Sequence, residues 1–579
     1  MNREMTMKDF DVIVIGGGVN GLACASYLGK AGLKTLVLEA KGECGAHCDT
    51  SEPGIPGFLH NLHATWLITA LSPAMDDLEL EKYGLELRAT DYAYGKTFVD
   101  NKCALFGVDL PDTFSNWEGL SKKDTDTLKI ATEVFFTRLE EVLDVLHKFL
   151  FTAPDWNIMR SFSSFIEEVF GRVGIKLTFE DIQQMNGFQL LDLLFESEHV
   201  KTMIQSLSWI GAYPPIHREV GAVGAVALSP LTGPIIPVHQ AKGGSHALTH
   251  ALVKCATANG VKILTSCPVK KIIVEKGVAK GVVLSEKAIF PNETISAKKI
   301  VSNLTVVPTF IDLIGEEHIG TQRATSINRF LYDEQVLFGV YYALKDAPQW
   351  KSADFNEGIQ SCFMGYFGGE NTDEMEKYAV SLINGKIHNE VIANWFIPTL
   401  ADPTQAPEGC HTSFVWFDVP PLPTKWNERK LDGFKDWDKI KFDLADSVTD
   451  TYERFAPGFK NLILDRIIYT PVDIYRNNPS AIRGNWCGGS MVPEQFFVNR
   501  PLPGILKKGG SRSFIDNLYL SNSINPMGAT WLASGYLAAS EVAEDMGVRE
   551  QSWWQGKACQ WYLRNITNIP RSLGVRRKK

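Results

Sequence analysis

No stretch of the 579-residue chain approaches the ~18 uninterrupted apolar residues that a membrane-crossing helix needs, so a spanning segment is not expected. Basic charge is not in excess either: 58 Lys and Arg stand against 67 Asp and Glu, a net charge of -9. A nucleic-acid partner, which calls for a basic face, is therefore excluded from the expectation. The residues ahead of Phe10 carry no apolar run of the secretory kind, which points to a cytoplasmic protein. The ten cysteines are scattered from Cys24 to Cys559 rather than spaced as a disulfide framework, which suits a reducing compartment. The nearest pair, Cys44 and Cys48, has no further ligands at metal spacing beside it, so no metal is expected. Repeats of solenoid period are lacking. With 45% hydrophobic and 22% charged residues the chain can build a large core, and disorder is not the reading.

What is present begins at once. Asp11-Val12-Ile13-Val14-Ile15 is a β-branched run of the kind a buried parallel strand requires. Gly16-Gly17-Gly18-Val19-Asn20-Gly21 follows directly. In such a turn Gly16 takes the tight bend, Gly18 leaves room for a pyrophosphate, and Gly21 lets the next helix lie against the strand. The free N–H groups and dipole of that helix attract phosphate. A second strand, Thr35-Leu36-Val37-Leu38, ends at Glu39, whose carboxylate can accept hydrogen bonds from a ribose diol and would repel a 2′-phosphate. Strand, glycines, helix, strand and terminal acid in register specify a dinucleotide site, without deciding between FAD and NAD.

The chain then divides by pattern. Residues 10–110 read as the first part of the dinucleotide domain, 111–235 as a helical, substrate-facing domain, and 236–310 as a second part of the dinucleotide domain. Residues 311–510 read as a strand-and-loop substrate domain, 511–548 as a third dinucleotide part, and 549–579 as a tail. Gly243-Gly244-Ser245 opens an amphipathic helix, Val261–Leu264 is a strand, 269–275 and 281–284 make a hairpin, and Ile300–Asn303 is a further buried strand.

The fingerprint and the C-terminal third resemble the phytoene-desaturase-like branch of the amine-oxidase and GDP-dissociation-inhibitor-type flavoproteins. The resemblance rests on 11–43, Pro53-Gly54 with Gly57-Phe58, and Ala241-Lys242-Gly243-Gly244 through Ser302-Asn303. It also rests on Asp402-Pro403 with Ala406-Pro407, Gln495 with Arg500-Pro501, and Asn517-Leu518-Tyr519-Leu520. It implies an α/β fold, a Rossmann-like FAD-binding domain interleaved with a mixed-sheet substrate domain and a helical insertion, and FAD as cofactor. The residues it implies at the cofactor are Gly16, Gly18, Val19, Asn20, Gly21, Glu39, Ala40, His47, Val269, Asn303, Asn522, Pro526, Met527, Gly528 and Ala529. Two departures mark a divergent member. Where the family has an Arg-bearing element after the ribose acid, this chain has Cys44-Gly45-Ala46-His47-Cys48, and neutral His cannot grip phosphate in the two-pronged way of Arg. The final loop, Ser521 to Thr530, keeps Gly528 as its one glycine. A helix from Trp531 to Ala543 is expected to aim its dipole at the flavin.

The chemistry the resemblance implies is dehydrogenation or allylic oxidation of an apolar isoprenoid, a carotenoid or a smaller terpene, with hydride passing to flavin N5. Two rivals stay open: a C=C isomerase without net redox, and a lipid-binding partner subunit of an active paralogue. The proton needs a base, and His60, His63, His217 and His239 are the candidates by position near expected loops. Phe188, Leu190, Leu191, Leu193, Leu194, Phe195, Trp209, Tyr213, Pro214 and Pro215 are either ordinary core or part of a dry substrate pocket. Trp553, Trp554 and Trp561 near the basic Arg576-Arg577-Lys578-Lys579 end are read either as a peripheral membrane contact at the inner face or as a dimer contact. The electron acceptor and any homo- or hetero-oligomer are left unassigned.

Overall fold

The computed structural model describes residues 10–107, 110–209, 219–225, 228, 239–332, 335–507, 510–522 and 529–565. Strand β1 (Phe10–Ile15), helix α1 (Val19–Lys30) and strand β2 (Thr35–Leu38) follow one another as the pattern requires. Strands β3 (Tyr92–Thr97) and β4 (Cys103–Gly107) come next. After a helix at Leu110–Glu118, five more cover Lys122–Thr137, Leu139–Phe151, Trp156–Arg172, Gly187–Leu194 and Glu198–Trp209. The first, third and fourth of them start at side-chain caps, Ser121, Asp155 and Asn186, which satisfy amides that the first turn leaves free. Helix α2 (His246–Ala258) leads into β5 (Lys262–Leu264), β6 (Val269–Glu275), β7 (Val278–Leu284) and β8 (Thr294–Ser302). Strands β9 (Val336–Leu344), β10 (Met364–Phe367), β11 (Ala393–Phe396) and β12 (His411–Val419), helix α3 (Trp437–Phe455) and strand β13 (Ile463–Tyr469) complete the middle of the chain. Strand β14 (Leu518–Leu520) and helix α4 (Ala533–Asp545) return to its beginning.

Two seven-stranded sheets organise these elements. The first has the order β5-β2-β1-β8-β7-β6, with β14 paired to β8. Around β1 it is parallel, Ile13 lying beside Leu36 on one side and Ile300 on the other. Strand β8 pairs antiparallel with β7 at Thr294–Ser296 and parallel with β14 at Ile300–Ser302. Both faces are covered, which is why β1 has no polar face. Val12 and Val14 join the cluster that holds Leu22, Leu252 and Ala539 of the three helices, whereas Ile13 and Ile15 join Ile272 and Phe310 on the opposite side.

The second sheet runs β13-β9-β12-β11-β10-β3-β4. Strands β3 and β4, which lie within the 10–110 segment by sequence, are thus edge partners of this sheet. Period-two alternation decides its faces. Tyr341, Phe414 and Trp416 pack into one cluster with Leu128, Phe165 and Phe170 of the helical segment. Phe338, Val340 and Tyr342 pack with Trp437, Leu444 and Tyr452 of the helix α3 layer.

One open alternative is decided here and two expectations are corrected. The aromatic stretch after Gly187 is core: Phe188, Leu190, Leu191, Leu194 and Phe195 are buried in the cluster of the helical segment, while Leu193 is exposed. The last helix starts at Ala533 rather than Trp531, because Trp531 belongs to a short turn, Ala529–Trp531, and Leu532 has a left-handed backbone (φ 60°) that breaks a continuous helix. Trp554 and Trp561 are buried, and Trp554 stacks on Tyr27 of α1 at 4.8 Å with the Arg549 guanidinium over its ring, so they face inward rather than toward a membrane or a partner. Tyr213, Pro214, Pro215 and the basic residues 576–579 lie outside the described residues. Among the described residues no helix is long and apolar enough to cross a membrane.

Candidate dinucleotide and substrate site

The turn after β1 has little room for side chains. Gly16 has φ +96°, and a Cβ at Gly21 would stand 2.3 Å from the Gly16 carbonyl oxygen. A Cβ at Gly18 would come within 2.9 Å of Asn303 Nδ2. Asn303 itself is tied to β1 by its N–H donating to the Ile15 carbonyl (2.8 Å), and Asn522 Nδ2 donates to the Asn303 carbonyl (3.0 Å). The end of β14 is thereby fixed against the turn. Glu39 closes the other side. Its carboxylate accepts from the Gly17 N–H at 2.7 Å and the Lys41 N–H at 2.9 Å. Each oxygen keeps a lone pair for a further donor, which is what a ribose diol offers. Asn20 points the other way: its Oδ1 accepts from the Gly535 N–H at 2.9 Å, which locks α1 to α4.

These groups open into one cavity of about 450 Å³. Gly16, Gly18, Val19, Asn20, Glu39, Ala40, Lys41, Val269, Asn303 and Asn522 line it. So do Trp66, Leu337, Tyr341, Trp416, Trp486 and Met491, which make an apolar, aromatic region on the second sheet and the 486–491 loop. Trp416 Nε1 donates to the Tyr341 hydroxyl at 2.8 Å, and that hydroxyl donates to the Leu62 carbonyl at 2.5 Å, so both polar atoms are satisfied and their rings are fixed. The buried Arg500 guanidinium donates to the carbonyls of Cys487, Ser490 and Gln495, each at 3.1 Å, and so holds the 487–495 loop in shape.

Between the two regions stand His47 and His63, stacked with ring centroids 4.5 Å apart. His63 Nδ1 lies 2.9 Å from Asp49 Oδ1, and its Nε2 is buried with no hydrogen-bond partner among the described residues. Burial alone would raise the Asp49 carboxyl. The His63 imidazole opposes this by charge and by hydrogen bond, and with smaller help from His47 and Lys41 it holds Asp49 below the ordinary carboxylate range. Asp49 is therefore the anion of the pair, and His63 Nδ1–H is the donor. Burial, reinforced by the charge of His63, pushes His47 down to about 3. His47 is thus neutral near pH 7 and cannot replace the missing guanidinium. Lys41 is the one Lys or Arg among the described residues that lines the cavity. Cys44 and Cys48 are buried, and burial pushes both thiols up to about 12.

The other expected residues fall elsewhere. Gly21 lies behind the turn and shapes it without lining the cavity. His60 is buried with both ring nitrogens unpartnered among the described residues, its edge toward the Tyr341 ring at 6.1 Å, and does not line the cavity. His239 packs at the edges of Trp561 and Tyr562, 6.2 and 6.5 Å away, and does not line the cavity. Ala529 opens the short turn whose Thr530 and Trp531 do line it. His217, Pro526, Met527 and Gly528 lie outside the described residues. Sequence reasoning missed Asp49, Lys41, Tyr341 and Trp416. Asp49 and Lys41 flank the expected loop, and proximity to it was their one signal.

Comparison with known proteins fits this geometry. A family described as NAD(P)-binding Rossmann-like domain matches residues 14–78. A subunit of limonene dehydrogenase from Castellaniella defragrans is 26% identical over 95% of this chain and 96% of its own length. Pyridine nucleotide-disulfide oxidoreductase domain-containing protein 2 of Rattus norvegicus is 29% identical over 93% and 94%. Phytoene desaturase of Fusarium fujikuroi is 23% identical over 93% and 90%. At 23–26% identity over more than nine-tenths of its length, the chain is similar to phytoene-desaturase-like oxidoreductases. Its fold is that of the amine oxidases as well: putrescine oxidase bound to putrescine superposes with a TM-score of 0.55 at 14% identity, over 93% of this chain and 99% of that one.

The residues present fit FAD at the adenosine end. Gly18 lines the cavity without a side chain of its own, and the Glu39 carboxylate is held by two backbone amides at the end of β2. Gly18 opens α1 with no side-chain cap, and the positive end of the helix dipole there favours an anion. Lys41 brings a positive charge to the cavity it lines.

Proposed function

We propose that the protein dehydrogenates an apolar isoprenoid substrate, removing hydride from one carbon and a proton from its neighbour to leave a C=C bond. The observation that carries this reading is the continuity of one cavity from the glycine turn and Glu39, past the Asp49–His63 pair, to the aromatic region around Tyr341 and Trp416. FAD, when bound, supplies the hydride acceptor at its N5. Glu39 and the start of α1 hold the adenosine diphosphate. Asp49 keeps His63 in the tautomer with Nδ1–H, leaving Nε2 as the base that takes the proton. Tyr341, Trp416, Trp66 and Met491 offer apolar surface and exclude water, which favours a hydrocarbon over a charged amine.

The Castellaniella relative is named as one subunit of its limonene dehydrogenase, and this supports a second reading in which the present chain works beside a paralogous subunit. Both readings meet one experiment. Purified protein is mixed anaerobically with a panel of terpenes and carotenoids while the oxidised flavin band near ~450 nm is followed. Bleaching by one of them, with a product two hydrogens lighter, is the expected result. Turnover by pre-reduced protein alone, without net bleaching, would replace dehydrogenation by isomerisation. A colourless chain beside a yellow co-purifying paralogue would make it the supporting subunit.

A further inference from the structure

On the outer side of the loop that lines the cavity, three side chains from distant parts of the chain converge. Glu43 follows β2, and His246 and His250 stand one helical turn apart at the start of α2. Glu43 Oε1 is 2.9 Å from His246 Nε2 and 3.4 Å from His250 Nε2, and the three ligand atoms lie within 4.8 Å of one another. Zinc bound by imidazole and carboxylate at about 2.0–2.1 Å in a tetrahedron needs ligand atoms about 3.3 Å apart. The two Glu43–histidine separations bracket that value, and a small turn of the exposed His250 ring would bring in the third. We propose that Glu43, His246 and His250 form a divalent transition-metal site that fastens the 43–48 loop to helix α2.

Orientation around the site supports the assignment. His246 Nδ1 is 3.0 Å from the Cys48 carbonyl oxygen, which can only accept. Nδ1 therefore carries a proton, and a cation entering beside Glu43 would take the place of any proton that Nε2 shares with that carboxylate. The bond from Nδ1 is the outer hydrogen bond typical of metal-bound histidine. The His246 ring also meets the loop directly: a Cβ at Gly45 would stand 3.0 Å from its Cε1. Two imidazoles and one carboxylate, with a fourth position open to water, match zinc and its neighbours and do not match calcium or magnesium, which take oxygen ligands. The site is at the surface, with His250 and Glu43 side chains 57% and 70% exposed, so a cation can enter without unfolding. Ala46, His47 and Cys48 of the fastened loop line the dinucleotide cavity. A bound cation therefore restrains one wall of that cavity and takes no part in the redox chemistry.

The test is equilibrium dialysis of the purified, flavin-loaded protein against zinc chloride after chelator treatment, with bound metal counted by atomic emission. One zinc per chain is expected at micromolar free zinc, with affinity reduced at least about tenfold in His250→Ala and in Glu43→Gln. The His388→Ala variant, which removes a histidine far along the chain, should bind as the parent does. Zinc should also raise the melting temperature of the parent and not of His250→Ala, since a ligand of the native state stabilises it. Absence of stoichiometric binding at roughly 100 μM free zinc, or binding unchanged in both variants, overturns the proposal.

Discussion

Replacing Glu39 by Arg is expected to yield a folded protein that emerges from purification almost free of flavin. Two backbone amides, the buried Gly17 N–H and the half-buried Lys41 N–H, now donate to the Glu39 carboxylate. Arg has no acceptor to offer them, and each orphaned donor costs about 1–3 kcal/mol. The ribose loses its charge-assisted hydrogen bonds at the same time. The amide losses fall on stability, whereas the two ribose hydrogen bonds, at about 1.5–3 kcal/mol each, are lost from binding, roughly a hundredfold or more in affinity. Glu39→Gln separates charge from shape. Its amide NH₂ would face one of the two N–H groups, so it too should weaken FAD, by about tenfold. Titration of flavin-stripped protein with FAD, followed by tryptophan fluorescence, measures both. Circular dichroism checks that the variants fold. Equal affinity in parent and Glu39→Arg would remove the ribose from this place.

His63→Gln is expected to lower kcat by about 10²–10³-fold with KM changed only a few-fold, because a positioned base contributes about 10²–10⁴ to proton transfer and little to binding. Asp49→Asn should be milder. It keeps a partner for Nδ1 but removes the anion that stabilises the imidazolium as the proton arrives, as carboxylates do behind catalytic histidines. The pH dependence carries the sign. A base must be unprotonated to act, so parent activity should fall toward acid, and that acid limb should vanish from the residual activity of His63→Gln. Asp49 also links pH to stability. Its carboxyl is held below the ordinary range, so the stability it contributes is present above that range and is lost as pH falls through its lowered value. The parent should therefore lose melting temperature on acidification more steeply than Asp49→Asn. A kcat unchanged in His63→Gln would assign the proton to another group or to water.

The legible part of this protein is the part in which one local rule fixes several residues at once. The run from Asp11 to Glu39 states its strand, turn, helix and second strand through period and glycine spacing, and the structure places Glu39 against Gly17 as that spacing requires. The α/β return at 262–302 was legible for the same reason, since β6, Lys276-Gly277 and β7 form a hairpin with its own turn signal. The histidine roles were not legible. His60, His63 and His239 look alike in sequence, and their fates depend on which element covers them: Tyr341 beside His60, Asp49 beside His63, Trp561 and Tyr562 beside His239. The apolar stretch after Gly187 stayed open between core and pocket because hydrophobicity marks burial without saying what is buried against it. Phe188 and Leu191 meet other helices, whereas the cavity wall comes from Tyr341 and Trp416 on strands far along the chain. The Glu43–His246–His250 grouping had one local sign, two histidines four residues apart, and its third member is supplied by the packing of α2 beside the loop after β2.

The measurement that bears most directly on the placement of the cofactor is a crystal structure of the protein grown with FAD. Adenosine density is predicted at the start of α1, with a ribose hydroxyl within hydrogen-bonding distance of the Glu39 carboxylate and the ring system beyond His63 toward Tyr341. A dinucleotide bound elsewhere, or a turn that stays filled by protein at saturating FAD, would contradict it.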